Sequence, residues 1–600
     1  MGDRADNDGG AVDLARRGLE TPSQMPQFTR FHRLILCGGA AALVYFIGLG
    51  RPALWEPDEG RYAEIAREMV VSGDYLTPRN DWVRYFEKPP LVYWATAASI
   101  KLLGRDELAV RTPAALASVG TVMVTAALGE AMFDAATGLL AAITLALSPL
   151  FFIFARFATP DPELTFFFSA GLAAFFAAVR ERDLRHGAGR KWMVLAAAAL
   201  ALGTLAKGPV ALVLGGGIGL LWMLSERRAR EIAQIRWLEC GAIYLAITAP
   251  WFIVAGLHNP GFIRFFLVHE HLQRFVESTE HGWGPWFFFP IVPAGFWPWL
   301  YFVFFGVAEF GDARVENRDG ARGSGVRFLL IWFTVVFIFF SIPRSKLGEY
   351  ILPALPPLAL LAAIGLLRVR AMEARRACQV LGWFAATNLT LLLGAIAVWI
   401  AWRSGLARAD GFSTIPLGVV VLALVWGSAA TIIYLAARWW RSARNVPWGV
   451  TIVAMISAAI LARARTEATP MASYRELAGI IDPYLQRGCT LASYRHFVQA
   501  LPFYTQTRER LVGYRGELAP FGESDDAAES FIATDARLRA LWSGPRCVIL
   551  IANRKDVAGL AARLQPPPSL LGGEGKKVAL TNRSTGATPS PSPPNHGPPS

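Results

Sequence analysis

The stretch from Trp55 to Pro90 reads WEPDEGRYAEIAREMVVSGDYLTPRNDWVRYFEKPP and follows directly on an apolar run that ends near Gly50. It brings Asp58, Glu59, Arg61, Glu64, Glu87 and Lys88 together at a membrane boundary. Charges there are costly unless they are paired or used. A carboxylate with a guanidinium one helical turn away can accept a proton or orient a group while the cation grips phosphate. Asp58 and Arg61 have that spacing in the helical pattern DEGRYAEIAREMV. Pro57 followed by two acids also fits a plain helix start, since acids in a first turn complement the helix dipole. Arg61 beside the same start favours chemistry.

Other polar residues repeat the theme. RYFEKPP offers Arg84, Tyr85, Glu87 and Lys88. Anchoring at the interface accounts for Tyr85 and Lys88 but not for Glu87. Asp161 lies in ATPDPEL between two apolar runs, where Pro160 and Pro162 would also suit a rigid turn. Lys207 in LAKGPV interrupts two apolar runs with almost no loop around it. A lone lysine there must snorkel or find an anion, and phosphate suits it. SKLGEYILP adds Lys346, Glu349 and Tyr350, with Arg344 just before. RFFLVHEHLQRF carries His269, Glu270, His271 and Arg274. Histidines two residues apart do not share a helix face, so HEH is not a metal site by itself. One histidine joined by a distant carboxylate such as Glu87 could hold a divalent cation, although structural histidines are commoner.

The elements that must position these residues are membrane spans. The chain of 600 residues is 54% hydrophobic and 18% charged, with a mean hydropathy of +0.35, whereas soluble domains carry about 25% charged residues. Apolar runs recur at 34–50, 110–130, 136–154, 163–180, 192–206, 209–225, 238–257, 285–309, 328–342, 350–368, 379–402, 415–437 and 447–463. That makes about thirteen transmembrane helices. Pro90–Gly104 is apolar but short and contains Lys101, which suits an interfacial or re-entrant segment.

Arginines collect at the N-terminus and after every even-numbered span, for example Arg180, Arg182 and Arg185, or Arg368, Arg370, Arg375 and Arg376. The positive-inside rule then puts those loops in the cytoplasm and the opposite loops, with the C-terminal part, outside. The net charge of +13 is thus accounted for without nucleic acid. No cleavable signal peptide is expected, because the first apolar segment lacks a small-residue cleavage site and reads as a retained anchor. Four regions follow: a cytoplasmic tail 1–33, a transmembrane domain 34–463 whose first outward loop is 51–109, an outward α/β domain 464–565, and a disordered tail 566–600 rich in Pro, Gly, Ser and Thr. In the α/β domain SYRELAGIIDPYLQ reads as a helix, CTLASY and CVILIA as buried strands, and DDAAESFIATDARLRALW as a helix between them. Cys489 and Cys547 either pair, if that domain is extracytoplasmic, or stay as buried thiols.

At WEPDEGRYAEIAREM, RYFEKPP, the DPE turn, LAKGP, EHLQRF and SKLGEYILP, in that order, the chain resembles the bacterial lipid A aminoarabinose transferases. That family groups with the protein O-mannosyltransferases in the GT-C class of membrane glycosyltransferases. The resemblance runs to about residue 560 and implies an α-helical polytopic GT-C fold with a small periplasmic α/β domain, seated in the bacterial inner membrane. It implies a polyprenyl-phosphate sugar donor and an outer-face acceptor, which is lipid A, another glycan or a protein. Asp58 and Asp161 match catalytic acids. Arg61, Lys88, Lys207 and Tyr350 match positions near the donor phosphate, and Tyr85 and Lys346 are counted with them. Glu87 and His271 match a pair linked to a metal ion. This chain has Gly348-Glu349 where close relatives tend to have Pro-Thr before the tyrosine, and an additional His269. No nucleotide-binding motif occurs, in keeping with a lipid-borne donor and no nucleotide cofactor. A single displacement of polyprenyl phosphate implies inversion. The rival reading is a transporter or flippase of a lipid-linked sugar. Transporters favour repeats and mid-bilayer charges, whereas these charges gather at one interface.

Overall fold

The computed structural model describes residues 29–181, 184–273, 282–315, 321–404, 415–468, 473–521, 525–532 and 534–583. Each expected span coincides with a helix or a broken helix, from Arg30–Phe46 through Glu107–Met132, Asp161–Arg180 and Gly187–Lys207 to Val446–Ala468. Among the described residues eight helices are long and apolar enough to cross a membrane, or nine with one bent pair. That pair turns by 98° between Pro285–Phe296 and Leu300–Ala308. Pro298 lies at the break, where a residue without an N–H cannot continue the helical ladder. Leu91–Leu103 has 13 residues, a rise of about 20 Å, which is short for a hydrocarbon core of about 30 Å. The protein is a multi-pass membrane protein.

Two short helices shape the loop 51–109. Asp58–Ser72 is closed by Gly73 in the left-handed conformation. It packs on Leu91–Leu103 through Tyr62 and Tyr93, whose rings stack with centroids 5.8 Å apart.

The C-terminal domain is a six-stranded sheet in the order Phe531–Ile532, Arg510–Val512, Thr490–Tyr494, Val548–Asn553, Lys577–Thr581, Ser569–Glu574. The first four strands run parallel, Lys577–Thr581 runs antiparallel to them, and Ser569–Glu574 pairs antiparallel with Lys577–Thr581. Two expectations need correction. Ser569–Glu574 and Lys577–Thr581 fall in the stretch expected to be a disordered tail; they pair with each other, and the second also with the Val548–Asn553 strand, and this hydrogen bonding overrides the Gly-rich composition. The segment expected as one helix, DDAAESFIATDARLRALW, instead forms a 3₁₀ turn, the edge strand Phe531–Ile532 and the helix Asp535–Ser543. Residues 584–600 lie outside the described residues.

Cys489 and Cys547 are joined in a disulfide with a sequence separation of 58 at the starts of two central strands. Closing a loop of that length restrains the unfolded chain by about 2–4 kcal/mol. The Cys489→Ser variant is expected to unfold earlier in denaturant by that amount. An unchanged midpoint would remove the cross-link from the stability of this domain.

This domain docks on the loop 51–109. Glu56 accepts the backbone N–H groups of Ala500 at 2.6 Å and Gln499 at 3.0 Å. The Tyr504 hydroxyl accepts from the Leu54 N–H at 2.8 Å and donates to Glu107 at 3.0 Å. Asp81 accepts the Glu509 N–H at 2.8 Å, and Ser493 donates to the Glu509 carboxylate. Gly60 has no room for a side chain here, since a Cβ would lie 2.6 Å from the Ala500 nitrogen.

The interface holds carboxyl groups that prefer to be neutral. Burial lifts Glu509 to about 8, with Ser493 opposing and Glu56 adding to the rise. Burial also lifts Glu56 to about 7 against its two backbone donors. A carboxyl raised from 4.5 binds more protons docked than free, so its contribution is full below 4.5 and is lost as pH rises through 7 and then 8. Hydrogen exchange at residues 499–505 is therefore expected to speed up between pH 6 and 9 beyond the intrinsic rate. A flat protection factor across that range would contradict the assignment.

Candidate active site

Asp58 opens the Asp58–Ser72 helix and Arg61 follows one turn later, with Nη1 3.5 Å from Asp58 Oδ1. The second nitrogen of Arg61 reaches across to the C-terminal domain and meets Glu517 Oε2 at 2.7 Å. Tyr85 lies under the guanidinium, with its ring centroid 5.9 Å away. Gln499 donates to Glu517 and is itself held by Asn80 at 2.8 Å. Burial pushes the Glu517 carboxyl up, and Arg61 opposes that. The charge on this glutamate thus depends on the guanidinium it faces.

Asp161 and Lys207 form an ion pair at the ends of two neighbouring helices, Asp161–Arg180 and Gly187–Lys207. The Lys207 ammonium also sits 3.9 Å from the Tyr350 ring centroid. Tyr350 is presented by the 3₁₀ segment Gly348–Ala354, which packs on the Asp161 helix. Lys88 pairs with Glu270 at 2.6 Å and donates to the Glu87 carbonyl at 3.1 Å. The two lysines, 88 and 207, lie within electrostatic reach of each other, and Glu349 lies within reach of Lys207, Asp161 and Asp58.

The Glu59 carboxylate, beside Asp58, fixes the whole corner. Arg111 holds it with two bonds of 2.7 Å and spends its remaining donors on the carbonyls of Leu49, Pro52 and Ala53. Arg465 adds a contact at 3.2 Å, and the Ala158 N–H donates at 3.0 Å. Burial alone would raise this carboxyl, but the guanidiniums of Arg111 and Arg465 outweigh it and hold the group at about 2. Loop 49–58, the Glu107–Met132 helix, the Asp161 turn and the last span therefore meet on one buried anion. The sequence places Glu59 at a helix start and singles out Glu270 only within HEH, without its pairing to Lys88, and it gives no signal for Arg111, Arg465 or Glu517.

Of the residues expected from the sequence, Asp58, Arg61, Tyr85, Glu87, Lys88, Asp161, Lys207 and Tyr350 come together. Lys346 is placed differently. It is 1% exposed and donates to the Trp283 carbonyl at 3.1 Å. Beside it Gly282 and Ser345 form an isolated bridge. Among the described residues no ion pair joins Lys346 to Asp58 or Asp161, and its buried ammonium pins the 282–283 segment through the Trp283 carbonyl. The side chain of His271 lies outside the described residues. His269 stacks on Phe265 with centroids 5.1 Å apart. Among the described residues no cluster of three His, Cys, Asp or Glu side chains suits a metal ion.

Comparison with known proteins places the chain in a family. A family model described as dolichyl-phosphate-mannose-protein mannosyltransferase matches residues 39–268. The undecaprenyl phosphate-alpha-4-amino-4-deoxy-L-arabinose arabinosyl transferase of Erwinia tasmaniensis is 31% identical over 423 residues, covering 69% of this chain and 74% of that protein. Its counterpart in Edwardsiella ictaluri is 31% identical over 426 residues, covering 68% and 74%. The crystal structure of ArnT from Cupriavidus metallidurans bound to undecaprenyl phosphate superposes with a TM-score of 0.79 at 27% identity, over 93% of this chain and 99% of that one. The chain belongs to the undecaprenyl phosphate-aminoarabinose arabinosyl transferase family and is a membrane glycosyltransferase with the GT-C fold.

Proposed function

We propose that this enzyme moves 4-amino-4-deoxy-arabinose, or a closely related sugar, from undecaprenyl phosphate to lipid A or another envelope acceptor, at the periplasmic face of the inner membrane. The observation that carries the reading is the gathering of three cations, Arg61, Lys88 and Lys207, around the first outward loop, each paired with a carboxylate. The arginine-rich loops at the other end of the helices and the Cys489–Cys547 disulfide support the sidedness.

In the reaction the bond from the anomeric carbon to the undecaprenyl phosphate oxygen breaks, and its electron pair stays on the leaving phosphate. A bond from the anomeric carbon to an acceptor oxygen forms on the opposite face, with inversion. Lys207, Lys88 and Arg61 stabilise the leaving phosphate, because fixed cations act strongly in a water-poor site. Asp161 holds Lys207 in place. Asp58 takes the proton of a hydroxyl acceptor. With a phosphate acceptor no base is needed, and Asp58 orients the amino sugar instead.

A divalent cation held by Glu87 and His271 belongs to the same proposal, and it would supply further positive charge near the donor phosphate. Metal analysis of the Glu87→Ala protein against wild type checks it, with lost stoichiometry as the expected result.

Liposomes containing the purified protein, the undecaprenyl-phosphate aminoarabinose donor and lipid A should yield modified lipid A with an inverted anomeric centre. Retained configuration would overturn the single displacement. Movement of intact donor between leaflets without transfer would point to a flippase. In the same assay Lys207→Met is expected to lower kcat/KM for the donor about 10²–10³-fold, the size of losing one preorganised charge stabiliser. A loss below tenfold would remove Lys207 from the phosphate site.

A further inference from the structure

At the arginine-rich end of the bundle, far from the outward loops, a groove opens between the helices Ala374–Arg403 and Ile415–Trp439. Its cavity is about 490 Å³, and its walls include Arg375, Gln379, Gly382 and Trp383 from the first helix and Tyr434 and Arg438 from the second. Arg375, Gln379 and Trp383 are spaced four residues apart and so form one stripe. Tyr434 and Arg438 are likewise one turn apart, and Arg438 Nη1 donates to the Tyr434 hydroxyl at 3.2 Å. Gly382 leaves the Tyr434 ring uncovered, since even a Cβ there would lie 3.4 Å from it.

Three observations point to the occupant. Both guanidiniums are exposed, and among the described residues neither Arg375 nor Arg438 forms an ion pair with a carboxylate, Glu373 being the acid nearest in sequence. Trp383 is 72% exposed on a helix apolar enough to cross the membrane, so the groove opens sideways into hydrocarbon. The helical rise sets Trp383 about 12 Å below Arg375, close to the distance from a lipid phosphate to the upper acyl chain. A soluble anion would use the arginines but not the indole, and an acyl chain would use the indole but not the arginines.

We propose that this groove is a binding site for an anionic glycerophospholipid, with its phosphate between Arg375 and Arg438 and one acyl chain along Trp383. Basic pockets between membrane helices at the cytoplasmic side bind such headgroups. The site is independent of the transfer reaction, and its role is to hold the Ala374–Arg403 and Ile415–Trp439 helices together through a shared lipid.

The test is native mass spectrometry of the full-length protein released from nanodiscs of phosphatidylglycerol mixed with phosphatidylcholine. Wild type is expected to retain phosphatidylglycerol, and the R375Q/R438Q double variant to retain at least fivefold less. W383L, which keeps both charges, should lose retention by a smaller factor. Both variants change exposed side chains, and unaltered sugar transfer in detergent reports that they are folded. Equal retention by wild type and the double variant would overturn the proposal. So would equal retention of phosphatidylcholine, or displacement of the bound lipid by millimolar inorganic phosphate, which would mark a site for a soluble anion.

Discussion

Protein carrying Asp58→Asn is expected to fold normally and to transfer sugar about 10²–10⁴-fold more slowly than wild type, the range for losing a positioned acid–base group. The fold should survive because the Asp58 side chain is 37% exposed and its ion pair with Arg61 is long, at 3.5 Å. Partly exposed pairs of this kind contribute about 0–1 kcal/mol. The measurement is initial rate in liposomes with matched protein levels, read with lipid A and separately with a hydroxyl acceptor. If Asp58 acts as a base, the hydroxyl acceptor suffers the larger loss. If it orients the amino sugar, both acceptors suffer equally and the KM for donor rises. Transfer within threefold of wild type on both acceptors would sink either role.

The largest expected effect on stability belongs to Arg111→Met. Arg111 is 0% exposed, as is Glu59, and the pair carries two bonds of 2.7 Å. Removing one partner of such a pair leaves a buried charge uncompensated, which costs about 3–5 kcal/mol. Arg465 remains at 3.2 Å from Glu59, so the lower end of that range is expected. The three carbonyls of Leu49, Pro52 and Ala53 lose their donor as well. Activity should fall with stability, because these carbonyls fix the loop that presents Asp58. Unfolding in detergent measures the first effect, and a Glu59→Gln/Arg111→Met double variant should regain part of it. Equal destabilisation of the single and double variants would mean that Arg111 acts through packing rather than charge.

Charge within apolar sequence is what makes part of this site readable. Lys207 and Asp161 stand out because nothing in a membrane span needs them, and the structure pairs them. Alternating arginine-rich loops likewise give the span order, and the helices follow it. Contacts between distant segments carry no local signal. Glu517 lies in an ordinary polar stretch, and only the docking of its domain brings it to Arg61. Arg111 sits at a span end, where a boundary anchor is the default reading, yet its side chain turns inward to Glu59. Lys346 shows the opposite failure. It shares the local pattern of Lys88 and Lys207, but a backbone carbonyl rather than a carboxylate takes its ammonium. The family resemblance adds the reaction class, which spacing alone does not supply.

The three cations of the site share a further property. Each already has a carboxylate partner, so under the proposed mechanism an incoming phosphate would exchange partners with Glu517, Glu270 and Asp161 instead of meeting bare charge. Such exchange keeps the desolvation cost of the empty site low.

Docking of the C-terminal domain also sets a schedule for biosynthesis. Leu54 and Tyr504 are 450 residues apart and meet in one hydrogen bond, and Arg61 waits for Glu517 over a similar length of chain. At roughly 5–20 residues per second, the first loop is synthesised about 20–90 s before its partner leaves the ribosome. A nascent or prematurely terminated chain thus carries Asp58 and Arg61 without Glu517, and under the proposed mechanism its activity would await completion of the chain.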